Sequence, residues 1–426
     1  MSLTSSQHRA GSQCLNFLNH AKHQQHQLIG CPGTGKSFLT KKIAEDYAKP
    51  LLILAPTHEA LGNVREKVGN LPNITYATVA AATGLTASST SNGTEFTYKD
   101  YSPEVQKLWG SCSAAIIDEI SMVSEAAWNH LVAKSRGKKL LVVGDDAQLP
   151  EVKPRIATDK CQSHFETLML PSSELLEPVR TSNKQLWEFQ SYLRQSTKTG
   201  NLVVPSTFDI NAFDLRDHLT DKRTLESFQR GESKFICWRN STVAEKNQLI
   251  RKSLYGADAP RFVVGEQLVV DRPCWGYRGK IKLTGALSKP PADSEFLHTN
   301  QKLTVTRVES VIVLVGGIPA CPKQEIECWK LFVGDFFVLV PKNTLTELIN
   351  SINLSGNFKY RDSLLTAFAQ VEYFYAGTAH TFQGSSIPNV IVTLGDMDSR
   401  NPYERAKLIY VAMSRVVYDL KVTRGK

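Results

Sequence analysis

A glycine-rich run near residue 30 constrains the fold more than any other feature of this chain. Residues 30–37 read GCPGTGKS, which fills every fixed position of the phosphate-binding pattern G-x-x-x-x-G-K-[ST]. Residues 27–29 are suited to a strand and residues 37–44 to a helix, so the loop would join a strand to a helix N-terminus. Glycines let backbone N–H groups turn inward there, and the helix dipole favours anions. The run therefore predicts an α/β fold that binds a nucleoside triphosphate.

Different residues of the loop are expected to contact different parts of a bound nucleotide. We expect Lys36 to reach the β- and γ-phosphates, and the Ser37 hydroxyl to join the shell of a magnesium ion. The predicted nucleotide contacts of the loop are Gly30, Pro32, Gly33, Thr34, Gly35, Lys36 and Ser37. The cofactors that this part of the sequence predicts are ATP and Mg²⁺.

A pair of acidic residues follows the apolar run 114–117, which is suited to a buried parallel strand. Asp118, at the carboxyl end of this strand, would hold the magnesium ion together with Ser37. Glu119 would orient or deprotonate the attacking water. Strands often end in an acidic residue, so the pair alone is weak evidence for a magnesium site. Its position in the sequence after the phosphate-binding loop makes that evidence strong.

A third apolar run leads into the polar residues of the segment 141–150, LVVGDDAQLP. Gln148 is suited to contact the γ-phosphate because its amide can both donate and accept hydrogen bonds. Arg180 and Arg415 are candidate arginine fingers. A single arginine is usually a surface residue, so these two assignments depend on the order of motifs along the whole chain. The predicted catalytic set is Lys36, Asp118, Glu119, Gln148, Arg180 and Arg415.

Composition sets limits on the class of protein. The chain has 426 residues, of which 42% are hydrophobic, and this is enough for two or three globular domains. Neither a run of about 18 apolar residues nor a secretory signal is evident, and the eight scattered cysteines show no Cys-x-x-Cys pair. We therefore expect free thiols in a reducing cytosol. The net charge of +9 favours a polyanionic partner, although a solvated basic surface would give the same total.

Strand-like and helix-like runs alternate in two blocks, which predicts an α/β fold class with two parallel sheets. The strand-like runs are 51–55, 114–117 and 140–144 in the first block, and 234–238 and 389–394 in the second. Residues 86–103 interrupt the first block, and Asn92-Gly93 predicts a β-hairpin there, with a disordered loop as the alternative. Residues 255–365 have all-β character and predict a small barrel inserted in the second block.

The ordered set of motifs resembles superfamily-1 helicases, and within them the 5′-to-3′ branch of RecD-type enzymes and the Dda helicase of T-even bacteriophages. The similar segments are 3–7 (Q motif), 55–60 (Ia), 118–122 (II), 144–148 (III), Arg180 (IV), 377–385 (V) and 408–415 (VI). The overall length is most similar to the compact Dda-like members. The resemblance implies two RecA-like domains: domain 1A over 1–180 with a hairpin 1B at 86–103, domain 2A over 181–254 and 366–426, and an inserted domain 2B over 255–365.

The resemblance also implies how the residues would act. ATP would lie between the two motor domains, with Gln7 reading adenine and Gln383 and Gly384 adding nucleotide contacts. Single-stranded DNA would cross both domains, and the implied DNA contacts are Pro56, Thr57, His58, Thr78, Phe96, Asn240, Thr378 and His380. The hairpin would split the duplex, with Phe96 or Tyr98 stacking on a base pair. Ordinary packing within the hairpin is the alternative for either ring.

This reading implies an ATP-dependent DNA helicase, active on single strands and single-strand/duplex junctions in replication, repair or recombination. A monomer in a bacterial or phage-infected cytosol is expected, with single-strand-binding or replication proteins as candidate partners. Three departures from the family pattern, Ala80, Arg239 and Thr381, alter the expected contacts with DNA and leave the ATP chemistry untouched. The alternatives are a translocase that displaces bound proteins without efficient unwinding and a related RNA helicase.

Overall fold

A parallel sheet of six strands organises the first half of the chain in the computed structural model of the protein. The structure describes residues 3–90, 93–99, 101–151, 160–180, 183–202, 219–279, 281–285, 293–318 and 321–423. In spatial order the strands are β3 (Ile74–Thr78), β2 (Leu51–Ala55), β6 (Ala114–Ile117), β7 (Lys139–Gly144), β1 (Gln25–Gly30) and β8 (Ser172–Leu175). All five strand pairings are parallel.

Helices cover both faces of this sheet, as a parallel sheet requires. They are α1 (Ser5–His20), α2 (Lys36–Asp46), α3 (His58–Val68), α4 (Val79–Thr83), α5 (Pro103–Gly110), α6 (Glu125–Ser135) and α7 (His164–Thr167). Side chains alternate along each strand, so Ile53 packs on one face with Phe17, and Leu54 on the other with Trp128. Both faces of the sheet are therefore buried. Polar residues that bind ligands can lie at the ends of its strands.

The predicted hairpin is present in the first half. Strands β4 (Leu85–Thr90) and β5 (Gly93–Tyr98) pair antiparallel, while Asn92 in the turn lies outside the described residues. The Tyr98 ring stacks on His130 of α6 with 3.8 Å between the ring centroids. Phe96, in contrast, is 67% exposed. The hairpin is thus anchored through Tyr98 and presents Phe96 to solvent.

A second parallel sheet organises the rest of the chain. Its order is β19 (Ala376–Thr378), β9 (Ser233–Cys237), β20 (Ile387–Thr393) and β21 (Val416–Thr423). The helices α8 (Lys184–Thr199), α9 (Lys222–Gln229), α10 (Asn240–Tyr255) and α13 (Pro402–Met413) belong to this half. The predicted fold class, α/β with two parallel sheets and a hairpin in the first half, is confirmed, and the closure of the insertion into a small β-barrel stays a prediction. The domain boundaries stay predictions.

The β-rich insertion contains three small sheets among the described residues. They are β14 (Lys302–Thr304), β10 (Gln267–Arg272) and β18 (Gln370–Tyr373); β11 (Cys274–Gly276) and β13 (Glu295–Leu297); and β12 (Leu283–Thr284), β15 (Arg307–Gly316), β16 (Gln324–Val333) and β17 (Phe336–Pro341). A bridge between Tyr277 and Phe337 links the last two sheets.

The all-β expectation for residues 255–365 is wrong at its carboxyl end. Helices α11 (Thr346–Leu354) and α12 (Phe358–Ala367) follow β17. Leu348 and Ile352, and likewise Tyr360 and Leu364, recur four residues apart and are buried against the four-stranded sheet. Helix α12 also lies beside β4 of the hairpin. The spacing of four residues is helical, but it was missed beside the strand-like runs. Helix α12 therefore connects the insertion to the hairpin.

Two sequence expectations concern the whole chain. Each of the eight cysteines, all within the described ranges, is a free thiol. Among the helices of the described residues, none combines the length and the apolar character that crossing a membrane would require.

Candidate nucleotide-binding site

The glycine-rich loop lies between β1 and α2, as its sequence predicts. Gly33 and Gly35 have φ values of 87° and 85°, in the left-handed region where a side chain is strained. A Cβ on Gly33 would lie 2.9 Å from Cβ of Arg180, and one on Gly35 would lie 2.4 Å from Nε2 of Gln7. Glycine is therefore required at both positions by backbone conformation and by close neighbours.

Lys36 lies across this loop. Its ammonium donates to the carbonyl oxygens of Gly30 at 2.6 Å and Cys31 at 3.2 Å. Together with Pro32 and Ser37 it lines a cavity of about 240 Å³. The loop backbone thus holds the lysine beside the place where phosphates would bind.

Gln7 supports the loop from α1. Its Nε2 donates to the carbonyl of Thr34 at 2.9 Å, and its Oε1 accepts from the backbone N–H of Thr4 at 3.0 Å. The side chain is buried. Because Nε2 has a second N–H and Oε1 a second lone pair, these bonds leave the contact of Gln7 with adenine as a prediction.

The carboxylate pair stands at the carboxyl end of β6, facing the loop. Asp118 is buried, and burial and the charge of Glu119 raise the pKa of Asp118 to about 6. Glu119 adopts a left-handed φ of 49°, and its buried Oε2 has no hydrogen-bond partner among the described residues. A divalent cation would offset the cost of keeping both carboxylates ionised. Asp118 and Ser37 therefore fit the predicted role of magnesium ligands.

Arg180 is positioned by the loop itself. The backbone N–H groups of Val179 and Arg180 donate to the carbonyl of Gly33 at 2.7 and 3.0 Å. The guanidinium reaches the other half of the chain, where its Nη1 donates to the carbonyl of Ser414 at 3.3 Å. Burial, followed by the charge of Arg415, lowers the pKa of Arg180 to about 10.

Arg415 enters the same cavity from the end of α13. It is 2% exposed, and its guanidinium donates to the carbonyl of Val411 and the hydroxyl of Ser414, both at 3.0 Å. Burial lowers its pKa. No carboxylate of the described residues forms an ion pair with Arg180 or Arg415. The negative charge of Glu119 acts on both guanidinium groups without pairing with either. Two buried cations that form no ion pair with the described carboxylates favour an anion in the cavity.

Polar atoms without a partner among the described residues collect in this cleft. They include Oε1 of Gln148, Oε1 of Gln383 and Oε2 of Glu119. Gly384 lies so close to Glu119 that a Cβ on the glycine would be 3.1 Å from Oε1. Most of the predicted catalytic and nucleotide-contact residues of both halves thus line one cavity, whereas Gln7, Asp118 and Gln383 adjoin residues that line it.

Lys67 is a residue of this cleft that sequence reasoning missed. It lies in the last turn of α3 and lines the cavity with Lys36 and Glu119. Burial lowers its pKa, and the negative charge of Asp118 acts in the opposite direction. No motif marks this lysine, because only the packing of α3 against α2 brings it here.

Direct contacts between the two halves flank the cleft. Gln383 donates from Nε2 to the hydroxyl of Ser121 at 3.3 Å and to the carbonyl of Leu149 at 3.2 Å. Lys407 of α13 forms an ion pair with Glu166. These polar contacts lie beside apolar ones, because Ala147 and Leu149 of the first half are buried in one hydrophobic cluster with residues of the second half.

The predicted DNA contacts follow the carboxyl ends of strands in both sheets. Pro56, Thr57 and His58 follow β2, Thr78 ends β3, Asn240 follows β9, Thr378 ends β19, and His380 follows it; Phe96 lies apart on the hairpin. The hydroxyls of Thr57 and Thr78 accept from the N–H groups of Ala60 and Ala81, which caps α3 and α4. The structure aligns these residues along strand ends, and their contact with DNA stays a prediction.

Comparison with known proteins gives two matching families. The family described as an AAA domain matches residues 2–204, and the family described as a UvrD-like helicase C-terminal domain matches residues 373–416. The first contains the glycine-rich loop and Arg180. The second contains Gln383 and Arg415. The two families therefore each match the residues that one half of the chain contributes to the cleft.

Three curated relatives are DNA helicases by name. The chain is 24% identical to mouse DNA helicase B over 82% of this chain, 27% identical to the ATP-dependent DNA helicase Pif1 of Campylobacter jejuni over 52%, and 32% identical to the ATP-dependent RecD2 DNA helicase of Deinococcus radiodurans over 31%. These matches span 34%, 49% and 17% of the relatives' own lengths.

The fold is similar to that of a solved helicase. The Bacteroides Pif1 helicase, in a complex with ADP-AlF3 and ssDNA, superposes with a TM-score of 0.56 and 16% identity. The match covers 99% of this chain and 92% of the Pif1 chain. The similarity therefore extends over both sheets and the insertion.

Proposed function

The chain belongs to the Pif1/RecD-like superfamily-1 helicases, and from this premise we propose that it uses ATP hydrolysis to move 5′ to 3′ along single-stranded DNA and to unwind duplex DNA ahead of it. The order of motifs in the sequence had predicted this family. The closer relation to Dda stays a prediction. Because the chain matches only part of the curated relatives named above, the activity, polarity and substrate are argued from the residues of this chain.

The observation that carries the proposal is that the nucleotide cleft has one wall from each parallel sheet. Lys36, Glu119 and Arg180 come from the first half, and Gly384 and Arg415 from the second. A nucleotide bound there touches both halves, so its hydrolysis changes the free energy of their association. An enzyme that only hydrolysed ATP would not need a nucleotide site whose walls come from two separate sheets.

The residues of the cleft have roles that follow from their positions. Lys36 and the backbone N–H groups of the loop bind the phosphates. The carboxylate of Glu119 accepts a proton from water, and Gln148 orients that water through its unpaired amide oxygen. Arg180 and Arg415 stabilise the charge that develops on the transferred phosphoryl group. Magnesium, which Ser37 and Asp118 would hold, supplies further neutralisation of phosphate charge.

Coupling to movement follows from the same contacts. Departure of the γ-phosphate removes the anion that the two arginines share, and their mutual repulsion then disfavours a closed cleft. Opening the cleft would break the hydrogen bonds of Gln383 with Ser121 and Leu149, together with part of the apolar packing of Leu149 against the second half. Two halves that close and open while each holds DNA at its strand ends would step along the strand.

The hairpin is the proposed wedge, and the structure favours Phe96 over Tyr98 as the ring that meets the duplex. Tyr98 is occupied by its stack on His130, whereas Phe96, two residues earlier on β5, is exposed. Helix α12 of the insertion supports β4 from the side. A braced hairpin with one exposed aromatic ring can stack on an end base pair.

Strand separation on tailed duplexes tests the proposal. A duplex with a 5′ single-stranded tail should be unwound with ATP, and the same duplex with a 3′ tail should not. Preference for the 3′ tail would contradict the polarity. DNA-stimulated ATP hydrolysis without strand separation would indicate a translocase that displaces proteins, and stronger stimulation by RNA than by DNA would indicate an RNA helicase.

A further inference from the structure

Two histidine rings from distant parts of the fold lie face to face at the start of α3. His58 is the first residue of that helix, and His298 follows β13 in the insertion. Their ring centroids are 3.4 Å apart and their planes differ by 5°. His298 therefore covers one face of a side chain for which the motif comparison predicts a contact with DNA. A strand can reach that face only if the two rings part.

His298 is held firmly on its own side. The edge-on ring of Phe296 is 5.2 Å away, and Trp275 in turn contacts Phe296 at 4.7 Å. The backbone N–H of His298 donates to Oε1 of Gln301 at 3.0 Å, which fixes the turn. The ring is thus fixed from behind, and His58 contacts its outer face.

His58 is held with equal precision by the first half of the chain. The hydroxyl of Thr57 caps α3 by accepting from the N–H of Ala60 at 3.1 Å. The capped end leaves the positive end of the helix dipole beside the ring, where a phosphate is favoured. The ring and the helix end together offer a stacking face next to a phosphate site.

The charges around the pair are compatible with a nucleic acid. Burial lowers the pKa of both histidines, with the neighbouring His58 adding to the effect on His298, and this favours the neutral form of each ring. Burial also raises the pKa of Glu59 to about 7, against the opposing charge of Lys302. A phosphate near this pair therefore meets a partly neutralised carboxyl group and a nearby lysine.

We propose that a nucleobase of single-stranded DNA inserts between His58 and His298, which makes the ring pair a base-stacking site shared by the first half of the chain and the insertion. This inference rests on the proposed function, because it requires a single strand to cross the start of α3. The rings are already parallel, so insertion needs only a separation of about twice the present 3.4 Å. The insertion consequently moves relative to the first sheet when DNA binds.

The test compares two single strands of equal length and charge: an oligothymidylate, and an oligomer in which every nucleotide is abasic. Affinities are measured by fluorescence anisotropy for the wild-type protein and for His298→Ala, His298→Phe and the exposed control His20→Ala. Stacking on one base is worth about 1–3 kcal/mol, so His298→Ala should weaken oligothymidylate binding by roughly 5-fold or more. His298→Phe keeps a ring and should bind within about twofold of wild type.

The abasic strand separates the outcomes. It should bind wild type and His298→Ala equally, because no base remains to stack. If His298→Ala binds oligothymidylate as well as wild type, or more tightly, the ring pair is only a contact between domains and the inference is wrong. If no single strand stimulates ATP hydrolysis by the wild-type protein, the proposed function itself fails, which is a different result.

Discussion

Tyr410 donates a hydrogen bond of 2.7 Å to Oδ2 of Asp145, and this bond joins helix α13 of the second half to the end of β7 in the first. Both side chains are fully buried, and burial raises the pKa of Tyr410. Oδ1 of Asp145 accepts from Arg194 and from the N–H of Ala147, and the Asp145 carbonyl accepts from the N–H of Gln148. Gln148, the proposed water-orienting residue, is therefore connected through Asp145 to a hydrogen bond that joins the two halves.

Replacing Tyr410 with Phe should slow ATP turnover by roughly 2- to 30-fold, the range expected for altered coupling between sites. The loss removes one donor from a buried carboxylate and keeps the packing of the ring. Steady-state kinetics should show the effect in kcat rather than in KM for ATP. Tyr418→Phe, at a ring that is 75% exposed on β21, is the matched control. Equal kcat values in Tyr410→Phe and wild type would show that this contact does not position Gln148.

Lys36→Ala should abolish ATP hydrolysis because it removes the cation that binds the β- and γ-phosphates. Binding of single-stranded DNA should be largely retained, since the strand is expected to follow other strand ends. Hydrolysis is measured by phosphate release and binding by anisotropy. Lys41→Ala is the control, because the Lys41 side chain is on the same helix, is 40% exposed and pairs with Glu45 at 4.0 Å. Full turnover in Lys36→Ala would refute the site assignment.

Much of the cleft could be predicted from the sequence because its motifs are local. The loop at 30–37 and the pair at 118–119 each carry their chemistry within a few residues of a strand end. Lys67, Tyr410 and His298 could not be found in this way, since each acts through a neighbour that is distant in sequence.

The insertion illustrates the same limit. Its strands were predictable from short apolar runs, but the helices at 346–367 depend on a spacing of four residues that short runs do not reveal. Their contact with the hairpin is a tertiary feature. Gln7 is a further case, because the motif predicts adenine recognition, which stays a prediction, and does not reveal the hydrogen bond from its amide to the loop at Thr34.

Phe96→Ala should reduce the number of base pairs separated per ATP hydrolysed, because the hairpin loses the ring that stacks on the duplex. Loss of one base stack, about 1–3 kcal/mol, predicts a reduction of roughly 5-fold or more in the unwinding rate. Strand separation and phosphate release are recorded on the same tailed duplex. Tyr101→Ala, which removes another exposed ring near the hairpin, should leave the ratio unchanged. If Phe96→Ala and wild type separate the same number of base pairs per ATP hydrolysed, Phe96 does not act in the wedge.

His26 should make the stability of the first sheet sensitive to acid. Its Nε2 lies 2.9 Å from the hydroxyl of Ser173, and burial, with a smaller effect of His23, lowers its pKa from 6.5 to about 4. Because the unfolded chain binds the proton more readily, the contribution is complete above pH 6.5 and is lost as the pH falls towards 4. Urea unfolding at pH 7 and pH 5 should show a smaller loss of stability for His26→Gln than for wild type. If both proteins lose the same free energy of unfolding between pH 7 and pH 5, the acid sensitivity arises from residues other than His26.

The most direct test of the account is the rate of ATP hydrolysis by Arg415→Gln in the presence of single-stranded DNA. If the cleft is completed by the second half, kcat should fall by about 10³-fold, as for loss of an arginine finger, while ATP still binds to the loop of the first half. Arg405→Gln, at an exposed arginine of α13, the helix that precedes Arg415, controls for the substitution, and thermal unfolding confirms that both variants are folded. A folded Arg415→Gln protein that hydrolyses ATP at the wild-type rate would contradict the claim that both halves form the catalytic cleft.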